Sequence, residues 1–212
     1  MNVQLRVLLF VLLIYAGNTN SLESGLQGSS VYAGIAFQNT ELEELTATFG
    51  KAVLFNPPGE VLLPDEICYV DPDGLHATFF IEHHGPNNAP TNTVIGVIID
   101  TEEQYERRNQ GFFKRPFPCE KTEVKLPPCV GQICIGNSYN ETKEILKNAK
   151  TFYERSNEWR FEVNLTANDS VLKVYQLSSM PDWMFPSHVV RISRNRENTV
   201  TSIYSVIEID TI

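Results

Sequence analysis

The sequence predicts an α+β fold, a mostly antiparallel curved sheet with a covering helix. Three observations predict it. Apolar residues alternate along several short runs, Asn-, Asp-, Gly- and Pro-containing turns separate those runs, and a capped helical period opens the C-terminal half. That half reads as strand, helix and a four-strand meander, and the N-terminal half suggests a similar unit.

The first strand is expected at residues 31–37, where Val31, Ala33, Ile35 and Phe37 alternate with Tyr32, Gly34 and Ala36. Thr40 and Glu43 have capping-box spacing, Leu42, Leu45 and Phe49 recur at helical intervals, and Gly50 can close that short helix. Residues 52–55 read as a strand ended by Asn56-Pro57-Pro58-Gly59, because two prolines remove two ladder donors. Another extended stretch runs to Val70, and Asp71-Pro72-Asp73-Gly74 has the residues of a type I turn between two strands. Residues 75–83 form the next strand. Residues 93–99 follow, and Val94, Ile95, Val97, Ile98 and Ile99 leave neither face polar, which places this strand mid-core. A short helix is expected at 102–108.

From 111 to 128 the pattern dissolves into aromatics and four prolines, a long connection between the halves. Residues 130–135 then read as a strand. Ser138 and Glu141 make a second capping box, with Ile145, Leu146, Ala149, Phe152 and Tyr153 on one helix face. Strands follow at 159–165, 171–177, 188–194 and 199–209, with hairpin turns at 167–169 and 195–198. The strand-helix-meander order resembles the cystatin-like superfold, but that family's Gln-x-Val-x-Gly hairpin has no counterpart here, and no family is assigned.

Arg6, the apolar run 7–15 and the small or polar exit Ala16-Gly17-Asn18-Thr19 have the form of a secretory signal peptide. The run is too short to cross ~30 Å of hydrocarbon, which takes about 20 residues. The expected organisation is a signal peptide at 1–20, a β-rich unit with a short helix at 21–110, the Pro/Cys-rich connection at 111–128 and a helix plus antiparallel meander at 129–212. A single merged domain at 21–212 is the alternative. No integral membrane span is expected after cleavage, and the compartment is extracellular.

The formal charge of −9, from 17 Lys plus Arg against 26 Asp plus Glu, repels phosphate backbones and disfavours nucleic acid as a partner. Cys68, Cys119, Cys129 and Cys134 are an even set in an exported chain and read as two disulfides. Their spacing lacks the paired intervals of common zinc modules. Cys119 with Cys129 and Cys68 with Cys134 is the pairing favoured among the three that exist. Sequons at Asn140, Asn164 and Asn168 are glycosylation candidates; alternation along 159–165 turns Asn164 to water, and Asn168 falls in the next turn.

The histidines invite a metal reading. His76 and His84 are eight residues apart, about 27 Å along a strand at ~3.4 Å per residue. Glu82 and His84 could complete a set only if His188 crossed the sheet, so no metal site and no cofactor are assigned. No Gly-x-Ser-x-Gly elbow or phosphate loop is present, and no catalytic residue is assigned. Trp183, Met184 and Phe185, between Pro181 and Pro186, form an apolar loop that is a candidate contact for a partner or ligand, with a lid over the core as the plainer reading. Phe112, Phe113 and Phe117 pose the same choice.

Together these features imply a secreted, disulfide-containing, N-glycosylated acidic protein that acts by binding or structural association, as an extracellular interaction or matrix-type protein. A carrier of an apolar small molecule is the first alternative and a secreted hydrolase the second. The motif content weighs against an enzyme.

Overall fold

The computed structural model describes residues 31–57, 64–84, 90–110, 117–146, 151–155, 158–163 and 184–211. Strands β1 (Val31–Tyr32) and β2 (Ile35–Ala36) form a tight hairpin with Ala33 and Gly34 at φ of 51° and 84°. Positive φ at both turn positions suits a two-residue hairpin loop. The strand expected at 31–37 therefore folds back on itself, and Tyr32, Ile35 and Phe37 all enter the core.

Helix α1 (Leu42–Phe49) follows, with Glu41 at its N-cap and no side-chain cap. The expected capping box does not form, because the Thr40 hydroxyl accepts from the Ala36 amide at 3.1 Å and so closes the turn between β2 and α1 instead. Gly50, at φ 98°, ends the helix, whose Leu45 and Phe49 are buried. The strand expected at 52–55 reduces to one bridge between Phe55 and Glu66.

β3 (Asp65–Val70), β4 (His76–His84) and β5 (Pro90–Asp100) form an antiparallel run. The turn between β3 and β4 is held by Asp71, whose Oδ1 accepts from the amides of Asp73 and Leu75 at 2.9 Å each. Its Oδ2 accepts from the Leu126 amide at 3.1 Å and pins the later connection to the turn. Helix α2 (Glu102–Asn109) follows β5.

The connection contains β6 (Glu120–Lys121), parallel to β3, and the hairpin of β7 (Cys129–Val130) and β8 (Ile133–Cys134). The strand expected at 130–135 is thus a hairpin, turned at Gly131 with φ 58°. The cysteines pair as Cys68–Cys119 and Cys129–Cys134, which corrects the favoured pairing. β6 lies beside β3 and brings Cys119 to Cys68, while Cys129 and Cys134 are register partners.

Helix α3 (Tyr139–Leu146) carries the Ser138–Glu141 capping box: the Ser138 amide donates to Glu141 Oε2 at 2.7 Å and the Glu141 amide to Ser138 Oγ at 3.4 Å. Phe152 and Tyr153, expected on that helix, lie instead in β9 (Thr151–Arg155), which pairs with β10 (Glu158–Val163). Thr, Phe and Tyr in succession favour a pleated strand. β11 (Met184–Arg194) and β12 (Val200–Thr211) complete the chain's strands among the described residues. The strand expected at 171–177 lies outside them.

The main sheet runs β6-β3-β4-β5-β12-β11-β10-β9, antiparallel except at β3–β6. It is open, and with three helices among the described residues the fold is mixed α+β. β12 joins the halves by pairing with both β5 and β11. One face packs Phe79 against Tyr32, Phe49 and Tyr69, with ring centroids 5.5–6.2 Å apart. Val130 and Ile133 join this core, and Ile145 of α3 packs against it. The other face carries the smaller cluster of Phe80, Ile95, Ile98 and Val206. Among the described residues no helix is long and apolar enough to cross a membrane.

Candidate functional site

The second sheet face, where α2 meets the β11–β12 hairpin, holds a concentration of positive charge. The threonine before α2 caps it, accepting at Oγ1 from the Gln104 amide at 3.4 Å. Glu102 and Glu103 occupy the first turn and Arg107 and Arg108 the last, the order that complements the helix dipole. Residues three and four apart share a helix face, so Gln104 stands beside Arg107 and Arg108, and Tyr105 beside Arg108.

Arg108 anchors the helix to the sheet. Its guanidinium donates from Nε to Asp100 Oδ2 at 3.0 Å and from Nη2 to Thr78 Oγ1 at 3.0 Å. Asp100 is fully buried at the end of β5. A buried carboxylate requires such a partner, since an uncompensated charge would cost several kcal/mol. Tyr105 stacks flat on His76, 4.1 Å between centroids.

The opposite wall comes from β11, β12 and their turn. A register shift between Ser193 and Arg194 leaves Thr201 of β12 as the extra residue, and Ser193 and Arg194 both line the groove at this end of the hairpin. Asn195 Oδ1 accepts from the Glu197 and Thr199 amides at 3.0 Å each, and Asn198 adopts φ 59°, so the turn is rigidly specified. Arg194 Nη1 donates to Asn198 Oδ1 at 2.6 Å. Arg191 lies over the Tyr204 ring, 4.7 Å from its centroid.

The resulting groove has two adjoining lobes. The first, about 360 Å³, has Ile98 and Tyr204 in its floor and Arg107, Arg108 and Arg191 in its walls. The second, about 770 Å³, is lined by Arg107, Arg194 and Arg196, with Glu197 the one carboxylate. Gln104, Arg107 and Ser193 belong to both. Five of the chain's nine arginines therefore face one groove, in a protein of net charge −9. Arg160 occupies the register position opposite Arg191. Arg107 also pairs with Glu103 one turn back on an exposed surface, a contact worth little to stability.

The other residues singled out in the sequence fall elsewhere. His76 and His84 sit at the two ends of β4, and His188 is on β11, three strand spacings away or roughly 14 Å at ~4.8 Å per spacing. Glu82 accepts from Gln38 Nε2 at 3.2 Å. Met184 and Phe185 open β11, paired with Thr211 and Asp210, and so lie in a strand rather than in the expected loop. Trp183, Phe112, Phe113, Asn164 and Asn168 lie outside the described residues. Phe117 is exposed, and Asn140 is exposed in the first turn of α3.

His76 and Asp100 are cross-strand partners, the His-carboxylate pair that a hydrolase would need. Both are buried, and the Tyr105 ring lies over the imidazole, so a substrate does not reach it. Burial lowers the His76 pKa, opposed by the charges of Asp100 and Glu102 and aided by that of Arg108. The unfolded imidazole, at its ordinary 6.5, takes a proton more readily than the folded one. Stability present above pH 6.5 is therefore lost as pH falls below that value. Melting temperatures recorded from about pH 7.5 down to about pH 5.5 should fall, and His76→Gln should flatten that part of the profile.

The arginine groove is hidden in the sequence because its walls are some eighty residues apart. The only local signal is the recurrence of arginine at 107–108 and 191–196 in an acidic chain. No protein-family model matches the chain, and no curated protein or solved structure is significantly similar to it.

Proposed function

We propose that this is an exported, N-glycosylated binding protein that acts by non-covalent association, with an anionic ligand held in the groove between α2 and the β11–β12 hairpin. The two cysteine pairs at disulfide distance are compatible with an extracellular protein. The observation that carries the binding reading is the gathering of Arg107, Arg108, Arg191, Arg194 and Arg196 around one concave surface. Guanidinium groups offer paired N–H donors that match carboxylate, sulfate and phosphate oxygens. The carrier reading gains no such support: between α1 and the sheet, the rings of Phe49, Tyr69 and Phe79 occupy the space an apolar ligand would need.

Retention on a sulfonate cation-exchange matrix at pH 7 and low salt tests the proposal. A net charge of −9 alone gives no retention. The protein should nevertheless be held and released by salt, and the variant Arg191→Ala/Arg194→Ala/Arg196→Ala should flow through. Lys121→Ala/Lys125→Ala, away from the groove, should behave as the unaltered chain. Flow-through of the unaltered protein overturns the proposal.

A further inference from the structure

The distribution of groups within the groove narrows the ligand. We infer that it takes an acidic oligosaccharide, a sugar chain bearing sulfate or carboxylate groups at intervals. This rests on the anion-binding reading above and extends it.

The positive charges do not converge on one point, as they would around a single phosphate. They are spread over two lobes joined through Gln104, Arg107 and Ser193, from Arg191 in the first to Arg196 in the second. On β11, Arg191 and Ser193 are about 7 Å apart at ~3.4 Å per residue, so charge and hydroxyl succeed one another along the strand. A ligand with its own repeat of charges and neutral hydroxyls fits such a wall. Ser193 and Gln104 supply the neutral donors and acceptors a sugar requires, and Asn195, whose Oδ1 is held within the turn, supplies its Nδ2 donors.

An extended acidic peptide is served less well. Its backbone amides would need main-chain partners, and in the groove β11 is paired on both sides over His188–Ser193 and β12 over Ser202–Val206. A single-stranded nucleic acid would need an open aromatic face for base stacking, whereas Arg191 lies over Tyr204. Sugar hydroxyls ask for neither.

Titration calorimetry on the full, disulfide-intact protein decides it, with four probes: a heparin-derived hexasaccharide, an uncharged oligosaccharide of the same length, inorganic polyphosphate and a poly-glutamate peptide, the last two matched to the hexasaccharide in charge. The hexasaccharide should bind at least about tenfold tighter than either charged competitor, because it alone meets the neutral groups as well as the arginines. Gln104→Ala/Ser193→Ala should weaken hexasaccharide binding about tenfold and leave polyphosphate binding unchanged. Arg107→Ala/Arg191→Ala should weaken both, with circular dichroism confirming that each variant is folded. Equal binding of polyphosphate or poly-glutamate, or an indifferent Gln104→Ala/Ser193→Ala variant, overturns the oligosaccharide while leaving a general anion site intact. Failure of every anion to bind overturns both readings.

Discussion

Removing the Cys68–Cys119 bridge should cost about 4 kcal/mol of stability, against about 2 kcal/mol for Cys129–Cys134. The two differ in what they constrain in the unfolded chain: the first closes a separation of 51 residues and the second one of 5. Loop-closure entropy grows with the logarithm of length, so the long bridge restricts the denatured ensemble far more. The folded state should add to the difference. Cys68 is buried, and its partner secures β6 to the edge of β3, the sheet's only parallel pairing among the described residues. Urea unfolding of Cys68→Ala/Cys119→Ala and Cys129→Ala/Cys134→Ala should show the first with much the lower midpoint. Peptide mapping of the unreduced protein checks the pairing itself; a Cys119–Cys129 peptide would contradict it.

A single methyl group added at Gly96 should cost about 3 kcal/mol or more, near the upper end for overpacking. Gly96 is opposite Val206 in register, where β5 meets β12, and a Cβ there would lie 2.5 Å from the Ser205 carbonyl oxygen and 2.6 Å from Val206 Cα. These two obstacles are backbone, beside the Val206 Cγ2 methyl, so rotation of a side chain cannot relieve the clash. The strand pair that joins the two halves of the sheet would have to separate. Gly136→Ala makes the contrast: Gly136 has φ 92° and open space around it, so its cost should be about 1 kcal/mol and purely conformational. Chemical denaturation of the two variants should rank them in that order, and an equal ranking would mean the β5–β12 approach is looser than described.

Much of the fold was legible where local chemistry acts alone. Ser138 and Glu141 meet as their spacing implies, Asp71 and Gly74 make the turn, and the unbroken apolar character of residues 94–99 belongs to a strand buried on both faces. Where two local solutions compete, the sequence was ambiguous. Thr40 could cap α1 or close the turn before it, and it closes the turn. Residues 151–153 continue a helical period, yet they also favour a strand, and pairing with β10 decides for the strand. The Cys68–Cys119 pairing and the groove were not legible for a different reason. Both depend on which distant strands become neighbours, and no periodicity carries that information.

The position of β12 also has a consequence for how the chain is made. Gly96 and its partner Val206 are roughly 110 residues apart in sequence. At about 5 to 20 residues per second, β5 leaves the ribosome some 5 to 20 s before the strand that covers its edge. Throughout that interval Val94 to Ile99 is the most apolar strand of the sheet with one rim of amides open, the kind of template on which nascent chains associate. The β5–β12 pairing therefore forms only once Val206 has been made, and whatever shields β5 in that interval should raise the yield of native protein.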